Sequence, residues 1–156
     1  MNKKGFTTVE LVLTIILVTT LMATITSVTL VYRDRSDYEE AIKNTKDYKN
    51  TLTKIIYDDI LDNENQITSI TDNGNNSYTL NGNNSINFSV LNNTNEVGIE
   101  YDGIKYLVPG SDKGLIEFQN VELTSDENIY AMNVTFLSKQ FDDPIIIHFV
   151  ILNTAK

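Results

Sequence analysis

From Leu11 to Tyr32 the chain contains no Asp, Glu, Lys or Arg. As a helix these 22 residues extend about 33 Å, enough to cross the hydrocarbon core of a bilayer. A stretch apolar on every side must be surrounded by lipid or by protein, so it constrains the fold more than any other feature. Lys3 and Lys4 precede it and favour a cytoplasmic N-terminus, with the rest of the chain outside. One carboxylate, Glu10, stands at its start. A charge near the bilayer centre costs roughly 2.5–3.5 kcal/mol on insertion scales. Glu10 is only a turn or two into the apolar run, so in the membrane its charge can stay near the headgroups. The run also holds Thr14, Thr19, Thr20, Thr24, Thr26 and Thr29. Threonine hydroxyls can bond carbonyls one turn back, and small polar residues suit close helix packing.

No Gly or Pro occurs between Gly5 and Gly74, so the helix is predicted to continue past the membrane, from about residue 6 to about 61. Beyond Arg33 it becomes amphipathic. Tyr38, Ala41, Thr45, Tyr48, Leu52 and Ile55 recur every three or four residues, with Ile42 and Ile56 widening the stripe. Glu39 and Lys43 are spaced for an i,i+4 ion pair. Such a stripe is a core-packing face that needs a cover.

From residue 67 the period changes to alternation. QITSI, SYTLN and SINFSVL read as short strands separated by Asn- and Gly-rich turns. VGIEYDGIKYLV reads as a hairpin in which Asp102-Gly103 supplies the positive φ angles of a two-residue turn. LIEFQNVEL, IYAMNVTFL and PIIIHFVIL follow. The pattern predicts an α+β fold: one long N-terminal helix packed on an antiparallel β-sheet of six or seven strands. The Asn-rich stretch from Asn63 to Asn95 favours turns and exposed loops.

Composition removes several function classes. The net charge of −9 makes a nucleic-acid partner for the bulk surface unfavourable. There is no Cys, hence no disulfide and no thiolate metal site. The single His148 lies in an apolar strand and cannot supply a multi-His centre. TDNGNN around Asp72 lacks the spaced carboxylates of a calcium loop, and Asp142 and Asp143 are adjacent, so neither metal nor cofactor is expected. No nucleophile arrangement or phosphate loop is present, so no enzymatic activity is expected.

The opening KKGFTTVEL, read with the apolar helix behind it, resembles the class III signal of type IV prepilins and type II secretion pseudopilins. In that family a short basic leader ends in Gly, a prepilin peptidase cuts after it, the first mature residue (usually Phe) is N-methylated, and the fifth is usually Glu. Gly5, Phe6 and Glu10 match those positions at the required spacing. The resemblance implies cleavage between Gly5 and Phe6, methylation of the Phe6 amine, and assembly through pairing of Glu10 with that amine in an apolar filament core. A buried pair is tolerated where a lone buried charge is not. It also implies a pilin-like fold. Its parts would be a leader (1–5), an apolar helix half (6–32), an amphipathic helix half (33–62) and a β-rich head (63–156). The partners implied are the prepilin peptidase, other pilin or pseudopilin subunits and the inner-membrane assembly platform. The chain would be a single-pass protein of the cytoplasmic membrane, then part of an extracellular or periplasmic filament.

Asp102-Gly103, Tyr106 and FQNVEL (Phe118 to Leu123) also resemble pieces of the J/W-type minor pilins and pseudopilins. The chain departs from many major pilins in two ways. Ser27 stands where they carry a Pro, so no proline kink is expected, and there is no C-terminal disulfide. The alternative reading is a cell-surface binding or adhesion protein held by an uncleaved signal anchor.

Overall fold

The computed structural model describes residues 7–61, 67–126 and 129–152. The backbone divides into two compact units, Met1–Glu39 and Glu40–Lys156. One helix, α1 (Thr8–Leu61), contributes to both and passes Ser27 without interruption. Among the described residues eight strands follow, more than the six or seven that alternation alone suggests. They are β1 (Ser69–Gly74), β2 (Ser77–Asn81), β3 (Ile86–Asn93), β4 (Glu96–Tyr101), β5 (Ile104–Leu107), β6 (Ile116–Asp126), β7 (Ile129–Ser138) and β8 (Ile145–Leu152). Every pairing is antiparallel.

The strands form two sheets, β1-β2-β3-β4-β5 and β6-β7-β8. The break lies between Leu107 and Ile116, where Gly110 and Gly114 take φ of 90° and 65° around a single 3₁₀ turn, Ser111–Lys113. Such angles suit Gly and end the ladder. The turn is held by the Leu115 N–H on the Gly110 carbonyl at 3.1 Å, and the Lys139 N–H on the Leu115 carbonyl at 2.9 Å fastens it to the end of β7. The expected hairpin is β4–β5. Asp102 and Gly103 have φ of 49° and 76°, as a two-residue turn between right-twisted strands requires.

Alternation decides which side chains enter the core. In β3, Ile86, Phe88 and Val90 are buried; in β8, Ile145, Ile147, Phe149 and Ile151 are. Phe88 of one sheet meets Phe149 of the other with ring centroids 5.7 Å apart. Leu52 and Ile56 of α1 join this core with no exposed surface. Thr45 is buried too, and Tyr48 donates its hydroxyl to the Tyr106 carbonyl of β5 at 3.1 Å. The amphipathic stripe therefore packs as expected at Thr45, Tyr48, Leu52, Ile55 and Ile56. Tyr38 and Ile42, its predicted upper members, remain exposed. Glu39 pairs with Arg35 at 2.9 Å rather than with Lys43.

The Asn-rich stretch is less loop-like than its composition suggests. Asn73, Asn81 and Asn87 lie within strands on the outer face of the five-stranded sheet. There the Asn81 amide donates to Thr71 Oγ1 at 2.8 Å, and the Asn73 amide to Thr79 Oγ1 at 2.8 Å. Cross-strand amide–hydroxyl bonds of this kind let a polar residue serve a solvated sheet face.

Two details of the head constrain substitution. Gly98 is buried in β4, and a Cβ there would overlap the Tyr106 carbonyl oxygen and stand 2.8 Å from Leu107 Cα. Tyr101 is buried, yet its hydroxyl has no hydrogen-bond partner among the described residues. Burial first, and the nearby Asp59 carboxylate second, push its phenol well above the usual tyrosine range.

Candidate functional site

The sequence places its candidate cleavage, orientation and assembly residues just before and within the first turn of α1. Lys3, Lys4, Gly5 and Phe6 lie outside the described residues. Glu10 lies within them, in the first turn of the helix. Thr7 is the N-cap: the Leu11 N–H bonds its carbonyl at 3.1 Å and the Glu10 N–H its hydroxyl oxygen at 3.3 Å. In return Glu10 Oε2 accepts the Thr7 N–H at 2.9 Å and the Thr7 hydroxyl at 2.9 Å. Thr7-x-x-Glu10 is thus a capping box, which satisfies otherwise orphaned donors of the first turn reciprocally. The T-x-x-E spacing was open to reading in the sequence, but the role of Thr7 as the cap is added by the structure.

The geometry fixes where the carboxylate points. Glu10 reaches back along the helix to the backbone N–H of Thr7. A negative group at a helix N-terminus also opposes the positive end of the helix dipole.

Beyond Glu10 the helix surface is apolar all round, and residues 7 to 40 are exposed. Fourteen large apolar side chains between Val9 and Val31 are uncovered. Soluble monomers rarely leave contiguous apolar patches of more than a few hundred Å² in water. At roughly 1.5–3 kcal/mol per side chain buried, covering this surface yields on the order of 20 kcal/mol or more. That far exceeds the cost of one carboxylate near the bilayer edge, so Glu10 does not prevent membrane insertion. The helix is long and apolar enough to span a membrane.

The six threonines are accommodated by one device. Thr14 donates its hydroxyl to the Glu10 carbonyl at 2.7 Å, Thr20 to Ile16 at 2.8 Å and Thr24 to Thr20 at 2.9 Å. Thr19, Thr26 and Thr29 do the same to Ile15, Met22 and Ile25. Each hydroxyl proton is thereby satisfied without water, which allows these residues to sit in hydrocarbon. The apolar run is followed by i,i+4 pairs, Arg33–Asp37 at 4.0 Å and Arg35–Glu39 at 2.9 Å. This charged stretch marks where an apolar environment must give way to water.

The remaining sequence-selected groups lie elsewhere, with local roles. His148 is on the outer face of β8, and its Nδ1 is 2.6 Å from Oδ1 of its cross-strand neighbour Asn133. Asp72 Oδ1 accepts the Gly74 N–H at 2.8 Å and shapes the β1–β2 turn. Tyr106 and the Asp102-Gly103 turn belong to the β4–β5 hairpin, and FQNVEL lies in β6, interrupted by a bulge between Phe118 and Asn120. Comparison with protein-family models, with curated proteins and with solved structures returns no significant match.

Proposed function

We propose that this chain is a structural subunit, a minor pilin or pseudopilin, of a type IV pilus-like filament outside the cytoplasm. In this reading a prepilin peptidase cuts between Gly5 and Phe6, the new Phe6 amine is methylated, and the chain waits in the cytoplasmic membrane with Lys3 and Lys4 having oriented it. The assembly platform then draws it into a filament, where other subunits replace lipid around the apolar half of α1. The role is structural rather than catalytic.

The observation that carries the reading is the Gly5-Phe6-Glu10 spacing at the head of a helix whose first, apolar half is exposed. The direction of Glu10 supports it: its carboxylate already reaches the N–H of Thr7, one residue from the amine that cleavage would create. In hydrocarbon or a packed bundle, pairing with an ammonium is far cheaper than leaving the carboxylate alone. The back-bonded threonines keep lone pairs available for contacts between closely packed helices.

One observation favours the second reading, an uncleaved surface anchor: the capping box gives Glu10 a purely local task. The two separate on charge. Gln also serves at the third helical position of a capping box, so Glu10→Gln keeps the local task and removes the charge. The expected result is that Glu10→Gln and Glu10→Ala are both processed normally and both fail to enter filaments sheared from the host. Incorporation of Glu10→Gln at the wild-type level would reduce Glu10 to a helix cap.

A further inference from the structure

A cleft of about 470 Å³ opens where the β3–β4 turn of one sheet faces the start of β6 in the other. Small-molecule sites span roughly 300–1,000 Å³, so its size is adequate for a ligand. Buried Ile116 and half-buried Phe118 give it an apolar side. Asn92 and Asn93, both exposed, line it from the turn, and Glu117 and Lys139 line it from the three-stranded sheet. Lys139 is held in place there by its own chain. Its backbone N–H bonds the Leu115 carbonyl at 2.9 Å, and its ammonium reaches the Gly114 carbonyl at 3.3 Å and Glu117 Oε1 at 2.7 Å. Groups fixed before a ligand arrives lower the ordering cost of binding it.

The chemistry of these groups selects a ligand class. Glu117 and Lys139 neutralise each other, so an anion or a cation could be matched only by breaking their 2.7 Å contact. A wholly apolar ligand would strip water from the polar groups and return no hydrogen bonds. With its two bonds made, the ammonium still has a donor, and the carboxylate still has lone pairs. The Asn92 and Asn93 amides each carry donors and an acceptor. A hydroxyl group both donates and accepts, so it can use all of these without disturbing the ion pair. The side made by Ile116 and Phe118 suits the C–H face of a ring. We propose that this cleft binds a short neutral saccharide, with its hydroxyls on Asn92, Asn93, Glu117 and Lys139 and its ring face on Ile116 and Phe118. This inference goes beyond the filament reading and does not depend on it, since it uses only the β-rich head.

The test uses the full chain in micelles of a detergent without a sugar headgroup, followed by amide NMR. The probes are maltose, cellobiose, lactose and N,N′-diacetylchitobiose, added singly up to about 10 mM, because so few contacts give affinities on the order of 1 mM. The charged controls are digalacturonic acid and the unacetylated glucosamine dimer. At least one neutral disaccharide is expected to shift the resonances of Asn92, Asn93, Glu117, Phe118 and Lys139. It should bind roughly fivefold or more tightly than either charged control, the worth of one hydrogen bond. Glu117→Gln leaves the Lys139 charge uncompensated and should turn the preference toward digalacturonic acid. Lys54→Gln, at an exposed position of α1, should change neither. The titration of the unmodified chain decides the matter even if the Glu117 variant folds poorly. No shift with any neutral probe, shifts confined to another region, or equal binding of the charged dimers overturns the proposal. Self-association of the chain that shifts the same resonances also overturns it, by making a second copy the occupant.

Discussion

Leu52→Ala tests whether the second half of α1 is an integral part of the head. Leu52 has no exposed surface and lies in the same core as Phe88 and Phe149. The substitution removes three carbons, worth about 0.8 kcal/mol each on transfer, or roughly 2.4 kcal/mol in all. Incomplete collapse around the space left behind raises the total to about 3–4 kcal/mol. The comparison is Ile42→Ala, four carbons reduced to one at a site that is 40% exposed. There little burial is lost and no cavity forms, so about 1 kcal/mol or less is expected. Domains of this size are stable by about 5–15 kcal/mol, so the first loss is large and the second small. Urea unfolding in micelles, followed by near-ultraviolet circular dichroism of the eight tyrosines, reads both. With a slope of about 1–3 kcal/mol per molar, Leu52→Ala should lower the midpoint by about 1–4 M and Ile42→Ala by far less. Equal shifts for the two variants would refute the packing argument.

Three further outcomes follow from the head. Gly98→Ala forces a methyl group into the Tyr106 backbone, so β5 must shift, and a loss of about 2 kcal/mol or more is expected in the same unfolding assay. Tyr48→Phe gives up the bond to the Tyr106 carbonyl and should lower stability by about 1 kcal/mol. Burial raises the phenol pKa of both Tyr48 and Tyr101 above its unfolded value. Above about pH 10 the unfolded chain therefore ionises first, and the stability present below that pH is lost as pH rises. The urea midpoint should fall between pH 8 and pH 11, and by less in a Tyr48→Phe, Tyr101→Phe double variant.

Local physics made much of this fold readable. The charge-free run, the unbroken interval from Gly5 to Gly74 and the stripe through Thr45, Tyr48 and Leu52 were enough to define α1, which ends at Leu61 as expected. Asp102-Gly103 announced its hairpin because few other dipeptides accept two positive φ angles in succession. The division into two sheets was not readable. Gly110 and Gly114 mark a turn, but whether β6 returns to β5 or begins a separate ladder is decided by packing of the two inner faces, where Phe88 meets Phe149. The exposure of Tyr38 and Ile42 was hidden for a related reason: periodicity reports which face is apolar, not how far its cover extends. At the helix start, the spacing drew attention to Glu10 as an assembly residue. Its reciprocal bonds with Thr7 depend on the cap geometry and became visible only in the structure.

The account rests on Gly5 and Phe6 being the two sides of a cleavage point. The most direct measurement is the intact mass of the chain taken from its native host with an active prepilin peptidase. The account predicts a protein that begins at Phe6 and carries one added methyl group on its amine. A chain that still begins at Met1 would contradict it and leave an uncleaved anchor in its place.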